Sequence, residues 1–304
     1  MHVFREALPC RLAGSILDPM KHGKTVGLAL GGGGARGLVH ILVLELLEEF
    51  GIRPKAISGT SIGAVFGALY CSGHGAGELR EYVDRHVLIS GDKTNWKEDG
   101  RKMMEMVKLL DINFAGTGLI KGDRFSHFLY EMLGGESFAD LETPLTVAAT
   151  DFWESSQVVL GEGPVLPAVK ASMSVPGVFA PVVHLGRVLV DGACVNPVPW
   201  DLLPECDVVI GVNALGRSNA PESPRPPKAA KAVLETFEIM QRGILAEKLR
   251  FSPPDYLVDP PIRDVGILDF HKAMSVYEQS EAAVAGLRSF LEERFGRPGA
   301  RSAG

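Results

Sequence analysis

Val26-Gly-Leu-Ala-Leu-Gly-Gly-Gly-Gly-Ala-Arg-Gly37 is a short apolar run broken by four consecutive glycines. Such a run ending in a breaker predicts a buried strand followed by a tight turn. Beyond it, Leu38, Ile41, Leu42, Leu46 and Leu47 recur at helical spacing, with Glu45, Glu48 and Glu49 on the other side. This spacing predicts an amphipathic helix from Leu38 to Phe50, stopped by Gly51. The same grammar follows at once. Lys55-Ala-Ile-Ser58 reads as a strand, Gly59 to Gly63 as a turn, and Ala64 to Cys71 as an apolar helix. Two strand–turn–helix units in a row predict a parallel sheet covered by helices.

The rest of the chain extends this plan. Residues 78–133 read as mostly helical, and helices are expected at 231–250 and 269–294. Further strands are expected at Leu145–Thr150, Gln157–Leu160, Val188–Val190 and Val208–Val212. The fold class is α/β, with three α/β/α layers and a mostly parallel central sheet. Residues 1–23 read as an N-terminal tail, 24–295 as one domain and 296–304 as a C-terminal tail. Pro221, Pro224, Pro226 and Pro227 mark a loop at about 216–230. The apolar side chains of 101–110 suit an acyl-binding wall or an ordinary helix–helix contact.

Composition removes several function classes. Thirty-one Lys and Arg against 37 Asp and Glu give a formal charge of −6. An acidic chain without a basic block is a poor partner for nucleic acid. Cys10, Cys71, Cys194 and Cys206 show no CxxC spacing. They predict reduced thiols and neither a zinc site nor a disulfide frame. No apolar run reaches the roughly 20 residues of a membrane span.

Two motifs carry the chemistry. Gly32-Gly33-Gly34-Ala35-Arg36-Gly37 satisfies G-x-G-x-x-G at a helix start. The spacing fits a dinucleotide site, a close-packing turn or an oxyanion hole of glycine amides. The dinucleotide reading wants a carboxylate at the end of the next strand, and that strand ends in Ser58-Gly59-Thr60-Ser61 instead. Gly59-Thr60-Ser61-Ile62-Gly63 is G-x-S-x-G between a strand and a helix. That is the place of a nucleophile on a sharp turn, with glycines giving clearance. A serine N-cap is the competing reading.

A serine nucleophile needs a base. Of eight histidines, His184 and His271 lie in the second half of the chain, and neither sits in a glycine-rich loop. Asp191 follows Val188-Leu-Val190 and precedes Gly192-Ala193, at the carboxyl edge of a sheet. A strand-end Asp-Gly turn is the alternative for Asp191. Asp151 ends another strand and is expected to support the site.

Taken together, these blocks resemble the bacterial patatin-like phospholipases. The resemblance rests on Gly32–Gly37, on Gly59–Gly63, on Ala171-Ser-Met-Ser-Val-Pro-Gly-Val-Phe-Ala-Pro181 and on Asp191-Gly192-Ala193. It covers about 24–212 strongly. It implies a serine acyl-ester hydrolase acting on lipids through a Ser61–Asp191 dyad and an acyl-enzyme, without metal or other cofactor. It further implies an oxyanion hole from the amides of Gly32, Gly33 and Gly34. Arg36 would orient that loop or meet a phosphate head group. Gly37, Gly59, Gly63 and Gly192 would support the motifs. The expected partners are a phospholipid or other acyl-ester lipid and, transiently, a membrane surface. The expected location is cytoplasmic and peripheral to the membrane, with membrane contact resting on apolar side chains more than on charge. Three rivals remain at this point: a triad hydrolase using His184 or His271, a nucleotide-binding protein, and a lipid-binding protein without catalysis.

Overall fold

The computed structural model describes residues 23–86, 123–133, 137–217 and 226–298. The N-terminal leader, the apolar stretch 101–110 and 218–225 of the proline-rich loop lie outside these residues. The described strands are β1 (Val26–Leu30), β2 (Ala56–Thr60), β3 (Leu145–Asp151) and β4 (Ser156–Leu160), then β5 (Val182–His184), β6 (Arg187–Asp191), β7 (Val208–Val212) and β8 (Tyr256–Val258). The described helices are α1 (Val39–Glu49), α2 (Ile62–Cys71), α3 (Ala76–His86) and α4 (Asp123–Leu133), then α5 (Val165–Ser172), α6 (Ala229–Phe251) and α7 (Ala273–Phe295).

The strands form one sheet in the order β5-β6-β3-β2-β1-β7-β8, with β4 also paired to β3. The pairs from β3 through β2, β1 and β7 to β8 are parallel. The β3–β4, β3–β6 and β5–β6 pairs are antiparallel. The expected mostly parallel sheet is therefore present, with an antiparallel wing at one end.

Side-chain alternation along β1 shows why helices cover both faces. Leu28 and Leu30 join the main core with α1, α2 and α7. Ala29, between them, points the other way, into a second cluster with Val198, Trp200, Leu215 and Leu245 of α6. With both faces buried, β1 and β2 are buried at every position. This is why β1 reads as an unbroken apolar run, while β2 carries Ser58 and Thr60 only because their buried hydroxyls find carbonyl acceptors at Pro199 and Asn196. β2 runs two residues beyond the expected Ser58, to Thr60, because Gly59 and Thr60 still pair with Val147 and Ala148 of β3.

The wing positions the site. β4 pairs with Val147–Asp151 of β3, which occupies one edge of that strand. The other edge takes β2 at Leu145–Ala148 and β6 at Ala149–Asp151. β2 runs parallel to β3 and β6 runs antiparallel, so their carboxyl ends meet head to head. Thr60 pairs with Ala148 and Asp191 with the next residue, Ala149. The residue after β2 and the last residue of β6 are thereby brought together by register alone.

Candidate active site

Ser61 sits at that junction, between β2 and α2, with φ 55° and ψ −123°. A non-glycine residue with positive φ is strained and must be held by its surroundings. Its amide donates to the Ser172 hydroxyl at 2.8 Å, and that hydroxyl donates to the Ala148 carbonyl at 2.6 Å. Ser172 belongs to the third sequence block, and this is what the block does for the turn. The Ser61 side chain makes no capping bond to α2, so the N-cap reading does not describe it. A Cβ on Gly63 would lie 2.1 Å from the Leu30 carbonyl oxygen. Gly63→Ala should therefore cost about 3 kcal/mol or more in a urea melt, as overpacking against backbone does. Gly59 and Gly192 are pressed against backbone in the same way, at Ala64 and Ala148.

Asp191 is buried at the end of β6. Its amide donates to the Ser174 carbonyl at 3.0 Å, and its Oδ1 accepts from the Ala193 amide at 2.8 Å. Burial pushes its carboxyl up to about 7, against the opposing pull of the Ser61 hydroxyl and the Ala193 amide. An isolated buried carboxylate resists ionisation because it has lost its water.

The glycine loop passes directly over Ser61. A Cβ on Gly32 would stand 3.3 Å from the Cβ atoms of both Ser61 and Ala193. The Gly32 amide is already engaged, donating to the Pro197 carbonyl at 2.9 Å. This corrects the expectation of three free donors. The Gly33 and Gly34 amides have no hydrogen-bond acceptor among the described residues, and both glycines line the cavity that contains Ser61. Gly34 has φ 59°, and a Cβ there would meet the Ile267 carbonyl oxygen at 2.2 Å, so a glycine is required. Gly37 packs against Ile62.

Arg36 is buried and straps the loop to distant segments. Its Nε donates to the Val265 carbonyl at 2.7 Å, one terminal nitrogen donates to the Leu215 carbonyl, and the other meets Glu238 of α6 at 2.9 Å. With its fork filled by protein acceptors, Arg36 positions the loop. This geometry disfavours the head-group reading. His40, which the sequence did not single out, holds the loop from below. Its Nε2 lies 2.9 Å from the Gly31 carbonyl, which makes it a donor there. Burial pushes His40 down to about 4, so it stays neutral at physiological pH.

The cavity itself is overwhelmingly apolar. Its walls include Val65, Phe66 and Leu69 of α2, Met132 of α4, and Leu234 and Phe237 of α6. Ser61, Asp191 and the glycine loop form its polar end. His184, at the end of β5, and His271, in the turn before α7, are not among the lining residues. Asp151 serves structure: its Oδ1 accepts from the Trp153 and Glu154 amides and shapes the β3–β4 turn. No helix among the described residues is long and apolar enough to cross a membrane.

The model of the patatin-like phospholipase family matches residues 28–204. An uncharacterized NTE family protein of Mycobacterium tuberculosis is 32% identical over 198 residues, covering 64% of this chain and 51% of that protein. A neuropathy target esterase of Drosophila melanogaster is 33% identical over 184 residues, covering 60% of this chain and 12% of that protein. The chain thus spans about half the length of the mycobacterial relatives and far less of the insect one. Among solved structures, VipD from Legionella pneumophila aligns with 88% of this chain and 67% of its own, at 12% identity and a TM-score of 0.44. The family match spans more than half of the sequence and includes both the glycine loop and the Asp191 block, and the chain belongs to the patatin-like phospholipase family.

Proposed function

We propose that this protein is a serine hydrolase of lipid acyl esters, working through a Ser61–Asp191 dyad. The observation that carries the reading is one junction. A strained serine, a buried carboxylate and two unengaged glycine amides meet at the polar end of an apolar cavity. The esterase name of the insect relative supports the same chemistry.

The reaction follows from the groups present. Ser61 Oγ attacks the acyl carbonyl carbon while the Asp191 carboxylate takes its proton. The carbonyl oxygen becomes an oxyanion held by the Gly33 and Gly34 amides, beside the positive end of the turn at Gly34. The C–O bond to the alcohol breaks, and Asp191 returns the proton to that leaving oxygen. Water then attacks the acyl-enzyme, losing its proton to Asp191, and Asp191 passes that proton to Ser61 Oγ as the acyl–Oγ bond breaks and the fatty acid leaves. Neither His184 nor His271 has a part. His271→Ala and His184→Ala should each leave kcat within several-fold of the parent, measured with a soluble ester.

The apolar walls take the acyl chain. Each buried methylene contributes about 0.8 kcal/mol, close to fourfold in binding. Across p-nitrophenyl esters of increasing length, kcat/KM should climb by up to about fourfold per carbon until the cavity is full. A flat series would remove the cavity from acyl recognition. The lipid is reached at a membrane surface by reversible contact.

A further inference from the structure

The segment Asn196–Pro199 touches every part of the proposed site. The Asn196 amide donates to the Gly192 carbonyl at 2.8 Å, immediately after Asp191. The Asn196 carbonyl accepts from the Thr60 hydroxyl at 2.9 Å, immediately before Ser61. The Pro197 carbonyl accepts the Gly32 amide at 2.9 Å. The Pro199 carbonyl accepts the Ser58 hydroxyl at 2.8 Å. Four residues of irregular backbone thus set the spacing between the serine turn, the aspartate and the glycine loop.

One cation on α6 grips this hub at several points. Lys248, on α6, donates to Asn196 Oδ1 at 2.7 Å, to the Val198 carbonyl at 2.7 Å and to an Asp201 carboxylate oxygen. An ammonium has three N–H donors, and all three are used. Its Nζ also lies 4.1 Å from the centre of the Trp200 ring, within cation–π range. The Asn196 side-chain amide completes the network, donating to Gln157 Oε1 at 2.7 Å and to Asp201 at 2.9 Å. The Lys248 side chain is only 16% exposed, and burial pulls its pKa below the usual lysine range against the opposing pull of Asp201, so the ammonium depends on these acceptors and removing it leaves buried groups unpaired. Lys248 lies beyond the residues matched by the family model, which end at 204.

We infer that Lys248 is a positioning residue for the proposed hydrolase, pinning the Asn196–Pro199 hub so that Ser61, Asp191 and the glycine loop keep their mutual geometry. Lys248 touches no reacting atom. It acts through Asn196, whose backbone grips both sides of the dyad. Losing it leaves Asn196 Oδ1 without its donor and the Val198 carbonyl with the Trp200 amide alone, and lets the hub shift. A misplacement of about 1 Å at a reacting centre costs on the order of 10²-fold in rate. A looser hub also admits water to Asp191 and eases the desolvation that raises its pKa.

This inference rests on the hydrolase reading, and the test separates the two. Lys248→Met keeps the stem over Trp200 and removes the donors. Amide hydrogen exchange of the full chain should show faster exchange at 192–202 and at Gly32, with α1 and α7 unchanged. On a soluble p-nitrophenyl ester, kcat should fall about 10²-fold with KM within about twofold, and the acidic limb of the pH profile should move to lower pH. If Lys248→Met fails to fold, Lys248→Gln, which keeps two donors, should show the same pattern at about 10-fold. Unchanged exchange at the hub overturns the inference. So does a lowered melting temperature with kcat and the pH limb unmoved. A parent protein that hydrolyses no acyl ester, with exchange at the hub altered as expected, would instead sink the hydrolase reading.

Discussion

Ser61→Ala should abolish hydrolysis of p-nitrophenyl esters, by about 10³-fold or more, with the fold intact. Losses of this size follow removal of a nucleophile in enzymes whose remaining groups only bind and polarise the substrate. The substitution removes one oxygen and leaves the scaffold in place. The bonds that hold the turn use the Ser61 amide, not its side chain. The variant should therefore melt close to the parent. Its residual φ strain is shared by both proteins, since alanine carries the same Cβ. A fluorophosphonate probe should label the parent at one site and leave Ser61→Ala unlabelled. Labelling that persists would place the nucleophile elsewhere, and intact ester hydrolysis would remove the dyad altogether.

The parts of the site that were legible in the sequence are those whose requirement is local. A strand that turns sharply into a helix needs small residues at fixed offsets. Gly63, pressed against the Leu30 carbonyl, is such a requirement written at one position. The apolar run of β1 is equally local, because burial on both faces excludes a solvated polar side. What could not be read was the meeting of distant segments. Arg36 finds its acceptors at Leu215, Glu238 and Val265, between 179 and 229 residues away. No spacing rule reaches that far, so loop positioning and head-group binding looked equal from the sequence. The engagement of the Gly32 amide depends on a carbonyl at Pro197, and motif counting treats all three glycines alike. The reversal of β6 is the largest case. An Asp-Gly after an apolar run reads the same whether its strand is parallel or antiparallel. Only the register against Ala148 and Ala149 brings Asp191 to Ser61. The one hint was Val182–Asp191, two short strands joined at Leu185-Gly186, which is a hairpin and therefore an antiparallel pair.

Asp191→Asn tests the base and also separates its two roles. Asparagine keeps the shape and can still accept from the Ala193 amide, but it cannot take a proton. Turnover should fall by about 10³-fold or more, with circular dichroism unchanged. On the proposed mechanism Asp191 must be ionised to act, and burial pushes its carboxyl up to about 7 from the ordinary 3.8. The profile of kcat/KM against pH should therefore rise with unit slope on the acidic side and level off above about 7. Stability should run the opposite way. Between about pH 4 and 7 the folded parent holds a proton that the unfolded chain has lost, so its stability falls as pH rises through that window. Above 7 the full cost of a buried, desolvated carboxylate is present. Asp191→Asn carries no such charge and escapes this cost. The two proteins should melt together near pH 4, and the variant should melt several degrees higher by pH 8. A variant that is less active and more stable at the same pH is what a desolvated carboxylate at the reacting centre predicts. A variant that melts below the parent at pH 8 would show that the Asp191 charge is satisfied in the fold, and a pH limb unchanged by its removal would assign proton transfer to another group.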